Sequence, residues 1–191
     1  MPILGTIASS TRQGQATDLG AMFPLQVITV GAPTSSITFT NIPSTYTHLQ
    51  LRYIARTARA NQEDNIYLRF NSDTGNNYAG HSLYGDGATA GSFSEGTSIS
   101  YNTRTVVAAA SSAANTFGVG VTEILDYAST SKNKTVRSLN GYDNNGSGQV
   151  RITSGLWINN TTAITSITIA SANSAAISQY SQFALYGVKS A

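Results

Sequence analysis

The sequence predicts an all-β protein: a two-sheet antiparallel β-sandwich, wound as a jelly roll, with an extended N-terminal arm. Three observations predict it. Several segments alternate apolar and polar side chains with period two, the signature of a strand with one buried face. Clusters of Gly, Asn, Asp and Ser separate these segments at short intervals. No segment of about ten residues carries an apolar stripe at the 3.6-residue helical period. The chain of 191 residues suits one such domain, and no repeat at a fixed period suggests a propeller or a β-helix.

Residues 1–22 read as an arm. Their one apolar stretch, Ile3-Leu4-Gly5-Thr6-Ile7-Ala8, is followed by Ser, Thr, Gln and Gly. Ile3, Leu4 and Ile7 are candidate assembly contacts, and two docking modes stand open: onto a neighbouring subunit, or back onto the chain's own sheet. Residues 23–191 make the sandwich. In Ser36–Ile42, Ile37 and Phe39 point one way and the threonines the other. Pro43-Ser44 ends that strand, and Thr47–Arg56 resumes with Leu49, Leu51, Tyr53 and Ala55 on one face.

Asn65–Phe70 turns Ile66, Leu68 and Phe70 inward and ends in the turn-forming run Asn71-Ser72-Asp73-Thr74-Gly75-Asn76-Asn77. Gly85–Gly96 has no periodicity and reads as a long surface loop. Strands follow near Ser98–Val107, Thr116–Tyr127 and Thr135–Tyr142. In the second of these, Phe117, Val119, Val121, Glu123, Leu125 and Tyr127 share one parity. Glu123 conflicts with that row unless a sheet end or a bulge lies beside it. Asp143–Gly148 is a strong turn before Gln149–Trp157, and the last strands are Ala163–Ile169 and Gln182–Val188.

Only 10% of the chain is charged, against roughly 25% in ordinary soluble domains. Neutral polar residues must cover the surface, which leaves little repulsion between copies and suits a protein that packs against neighbours. A formal charge of +2 does not point to nucleic acid. Arg52, Arg56 and Arg59, with Arg69 on the next segment, are the nearest approach to an anion patch, and ordinary solvated strand positions explain them more simply. The chain has no cysteine, which excludes disulfides, thiolate metal sites and a Cys nucleophile. Met1–Ser10 lacks the basic and apolar regions of a secretory signal, and no apolar run reaches about 18 residues. A soluble protein made without export, with no membrane partner, is expected.

The search for chemistry finds no catalytic set. The neutral-pH bases are His48 and His81, and no Gly-x-Ser-x-Gly elbow nominates a nucleophile for either. A glycosidase needs two carboxylates facing each other across a sugar. Of the nine acids only Glu123 and Asp126 fall within a strand pattern, on opposite parities. Asn71-x-Asp73-x-Gly75-x-Asn77 has the spacing of a calcium loop, but Ser82 stands where a bidentate Glu would be needed. Neither a phosphate loop nor any cofactor motif is present. Among the ten tyrosines, Tyr78 and Tyr84 flank His81 in a stretch that interleaves aromatic and polar groups, and these three form a candidate ligand or partner loop. Trp157 reads as core or interface.

Ile3–Ser10, Ile37–Arg52, the Arg69-Phe70-Asn71-Ser72-Asp73 turn with Asn77-Tyr78, and Ser181–Lys189 together resemble small virion proteins of tailed bacteriophages: capsid cement or decoration proteins, or tail appendage components. The resemblance implies a jelly-roll-like module, commonly a homotrimer, placed on the particle surface by an N-terminal segment after synthesis in the host cytoplasm. Its partner would be the major capsid protein or another virion protein. No catalytic residue is carried over. The alternative is a tail-fibre or appendage module that contacts host glycan through Tyr78, His81, Tyr84 and the Gly85–Gly96 loop.

Overall fold

The computed structural model describes residues 21–189. Ile3, Leu4 and Ile7 lie outside the described residues. Twelve strands form two antiparallel sheets, and among the described residues there is no helix. The strands are β1 (Met22–Thr29), β2 (Ser36–Phe39), β3 (His48–Ala55), β4 (Glu63–Phe70), β5 (Tyr78–Gly85), β6 (Ala90–Ile99), β7 (Asn102–Ala108), β8 (Gly118–Leu125), β9 (Lys134–Asp143), β10 (Gly148–Trp157), β11 (Ile167–Ser171) and β12 (Gln182–Val188). The large sheet runs β1-β12-β3-β8-β9-β10-β5-β6 and the small one β2-β11-β4-β7.

The pairs β5–β6, β4–β7 and β3–β8 are nested, as in a ribbon folded over on itself so that it passes between sheets, which is jelly-roll wrapping. The nesting stops at β9, which pairs with β8 and β10, while β2 pairs with β11.

The core lies where the small sheet covers β12, β3 and the near ends of β8–β10. Leu49, Leu51, Tyr53 and Ala55 of β3 face Ile66, Leu68 and Phe70 of β4 across it, and Ile37 and Phe39 join them, as their alternation requires. Trp157 and Tyr78 close one end, their rings stacked with centroids 6.2 Å apart.

Gly85–Gly96 is not a long loop. Four residues, Asp86–Thr89, turn β5 into β6; the Asp86 carboxylate accepts the N–H groups of Ala88 (2.9 Å) and Thr89 (2.6 Å), and Gly87 supplies a φ of +91°. Pairing overrides the low strand propensity of Ala90–Ile99: Ala90–Ser94 register continuously with His81–Gly85 of β5, and two register shifts follow before Ile99 meets Tyr78. β1 has no clean alternation because Pro24 and a bulge before Gln26 interrupt it, both features of an edge strand. The expected arm boundary at residue 22 therefore falls on the first residue of a strand.

The turn after β4 uses its polar groups on itself. Asp73 accepts the Gly75 N–H (2.8 Å), the Asn77 amide (3.0 Å to Oδ2) and the Trp157 indole N–H (2.7 Å), so its carboxylate pins the turn to the core. Partial burial pushes the Asp73 carboxyl up, but those three donors and the charge of Arg69 outweigh it and hold it below its ordinary value of 3.8. A depressed folded-state value stabilises fully above the unfolded one and is lost as pH falls through the folded one. Asp73→Asn should therefore flatten the acid limb of stability. Urea midpoints at pH 6 and pH 3 check this, and an equal acid loss in both proteins would refute it.

Candidate functional site

Over the middle of strands β8, β9, β10 and β5 the usual alternation is inverted: the inward row is polar and the outward rows beside it are apolar. One row across the sheet runs Thr122, Ser138, Thr153, Ser82, each registered with the next. All four are buried. They satisfy one another, with Thr122 Oγ1 2.9 Å from Ser138 Oγ and Ser82 Oγ 3.3 Å from Thr153 Oγ1. Asn140 of the same face accepts the Val106 N–H of β7 at 2.8 Å. Buried Glu95 takes Ser82 and Arg104 as partners. Hydroxyls fully paired in this way cost little to bury.

One residue along each strand, the outward row is Val121, Leu139, Ile152, Leu83. The next outward row is Ile54, Val119, Gly141, Val150, Gly85. Val150 is 61% exposed, Leu83 and Leu139 56%, Val119 55% and Ile152 50%. Scattered exposed leucines are ordinary, whereas a contiguous two-row apolar belt across five strands is uncommon on the surface of a single chain. A Cβ at Gly141 would run into the Gln149 carbonyl oxygen, so no side chain can stand at that point of the belt. Beside it lies a hollow of about 940 Å³, rimmed by the Asp86-Gly87 and Gly146-Ser147 turns and floored by Val119, Gly141 and Val150.

The belt is bounded on both sides. Beyond the Gly141 row stand Asp143 and, in the neighbouring turn, Asp86, both exposed. Beyond the Leu139 row lies the registered polar row Gln50, Glu123, Arg137, Ser154, His81. Glu123 and Arg137 form an ion pair there. The conflict of Glu123 with its apolar neighbours thus has a different resolution from a bulge or sheet end: Val119, Val121 and Glu123 all face outward.

The other candidates disperse. Tyr78, His81 and Tyr84 lie on strand β5 rather than on a loop. Tyr78 is in the core, its hydroxyl accepting the Phe70 N–H at 3.2 Å. His81 is exposed in the outer polar row, and Tyr84 turns inward against Phe93, ring centroids 6.1 Å apart. Alternation along a strand separates His81 from Tyr84, so the three share no site.

His48 accepts the Asp126 N–H on Nδ1 at 2.9 Å. The arginines are also used structurally. Arg56 donates to the carbonyls of Ala110, Ser112, Ala113 and Thr116 and clamps that loop. Arg59 approaches Asp64 at 3.8 Å, Arg69 donates to the Ser100 carbonyl, and Arg52 donates to Gln50. They do not make one patch. Glu63, Asp64, Glu95 and Asp143 also lie in strands, which alternation of apolar residues did not disclose. Among the described residues no three His, Asp or Glu side chains converge as a metal site.

No family model matches this sequence, and no curated protein matches it. Two solved structures show remote likeness. Galectin LEC-6 of Caenorhabditis elegans shares 9% identity over 86% of this chain and 96% of that one, with a TM-score of 0.32. An aerolysin-like protein of Bombina maxima shares 7% identity over 77% and 91%, with a TM-score of 0.14. At such scores neither carries an argument about this chain.

Proposed function

We propose that this chain is a non-catalytic structural protein of a phage particle, a capsid cement or decoration protein that binds the assembled shell and stabilises it. The observation that supports a docking role is the inverted sheet, which buries hydroxyls and presents Val119, Val121, Leu139, Val150, Ile152 and Leu83 to its surroundings. Each such side chain, once fully covered, contributes about 1.5–3 kcal/mol before ordering costs, and repetition over many copies multiplies the effect. The placement on a virion comes from the sequence resemblance. The host-glycan alternative retains His81 alone of its three candidates on the outer face.

The test is stoichiometric. Purified particles should carry this chain in numbers comparable to the major capsid protein, and should lose resistance to heat or to low divalent-ion conditions when it is stripped. A handful of copies per particle would overturn the cement reading and turn attention to the tail.

A further inference from the structure

We propose that the belt is covered by the same belt of a second copy, the two large sheets packing face to face about a two-fold axis that crosses the strands between the Gly141 and Leu139 rows. This rests on reading the belt as a protein-docking face, and goes beyond it by naming the occupant.

The layout of the face is self-complementary about that line. Such an axis reverses position along each strand while keeping the strand, so each outward residue meets its counterpart across the line. Leu139 of one copy then lies over Gly141 of the other, where no side chain stands. Leu83 lies over Gly85, Val119 over Val121, and Val150 over Ile152. Two leucines enter two places that lack side chains, and the hollow beside Gly141 receives one of them.

Charge selects the same axis. Asp143 and Arg137 belong to one strand, on opposite sides of the belt. The two-fold brings Asp143 of each copy over Arg137 of the other, which already holds Glu123, and moves Asp86 towards the row of His81. An axis along the strands would instead set Asp143 beside Asp143 and leucine rows against leucine rows. Arg52, at the end of the Leu139 row, lines the hollow at its margin, is held by Gln50 (2.8 Å) and by the Tyr186 ring 5.7 Å from its guanidinium, and lies over Ile54 of the other copy.

The edges of the large sheet offer a poorer route to self-association. β1 carries Pro24 and a bulge, and β6 two register shifts against β5.

Sedimentation velocity of the full chain at micromolar concentration should show a dimer. Leu139→Asp places two charges in the interface by symmetry and should weaken association by about 100-fold or more, with an unchanged circular dichroism spectrum because the residue is exposed in the single chain. Asp143→Arg should weaken it, and adding Arg137→Asp should restore part of the loss.

A monomer at every concentration, a trimer, or a dimer indifferent to Leu139→Asp would each overturn the two-fold. So would a dimer abolished by Ile3→Asp, Leu4→Asp and Ile7→Asp together but not by Leu139→Asp, which would make the N-terminal segment the contact. Binding of the same variants to particles stripped of this chain separates the two proposals. If a monomeric chain still binds and Leu139→Asp abolishes binding, the docking reading stands and the occupant is another virion protein. If Leu139→Asp is monomeric and binds particles normally, the two-fold stands and the belt is not the face that docks on the shell; if it remains dimeric and binds normally, both readings fail.

Discussion

Trp157→Ala should destabilise the fold by about 3–5 kcal/mol, the cost of emptying a large aromatic site in a core. Trp157 is 1% exposed, stacks on Tyr78 and meets Phe70 with ring centroids 5.6 Å apart. Its indole N–H donates to Asp73, so truncation also loosens the turn after β4. The Lys134 ammonium, 5.5 Å from the ring centroid, loses the aromatic face and keeps only the Asn159 carbonyl.

For a domain of this size about 2–4 °C of melting temperature accompanies each kcal/mol, so a drop on the order of 10 °C is expected. Trp157→Phe keeps most of the volume and loses the hydrogen bond, and should fall between the two. Urea unfolding monitored by circular dichroism checks the series, and a loss below about 1 kcal/mol for the alanine variant would contradict this account of the core.

Asp64→Ala should cost a similar amount, about 3–5 kcal/mol, by a different mechanism: it removes the shared acceptor of a buried cluster. Asp64 is fully buried at the start of β4. Its Oδ2 accepts Thr57 Oγ1 at 2.8 Å and Ser171 Oγ at 2.7 Å, and its Oδ1 accepts the Asn173 amide at 2.6 Å and the Asn65 N–H at 2.8 Å. One carboxylate thus ties the chain after β3 and the end of β11 to β4, and alanine leaves the Thr57 and Ser171 hydroxyls buried without it. Asp64→Asn retains one acceptor and should lose less. If alanine and asparagine variants unfold at the same urea concentration as the parent, the cluster is not a source of stability.

Much of the fold was legible in local pattern. The alternation of Leu49, Leu51, Tyr53 and Ala55, and of Ile66, Leu68 and Phe70, marked both the strands and their buried faces, because the small sheet covers those faces with apolar partners. The Asp143–Gly148 cluster marked the β9–β10 turn, where Asn145 and Gly146 adopt φ of +55° and +108°. β5 was not legible, because its inward positions after Tyr78 are Gly80, Ser82 and the half-buried Tyr84 while Leu83 points out. The same inversion hid the belt: in β8 the apolar parity is the exposed one.

Period-two segments bounded by turn formers admit only strands, so local pattern alone sets the class of this protein and which residues share a face. Which of the two faces is buried depends on how the sheets assemble. Alternation is symmetric between inside and outside, and hydrophobicity normally breaks the tie. Here Thr122, Ser138, Thr153 and Ser82 come from four strands and become buriable only when the sheet sets them side by side to hydrogen-bond one another. No single segment encodes that pairing, so the apolar belt across the outer face exists only once the strands are assembled.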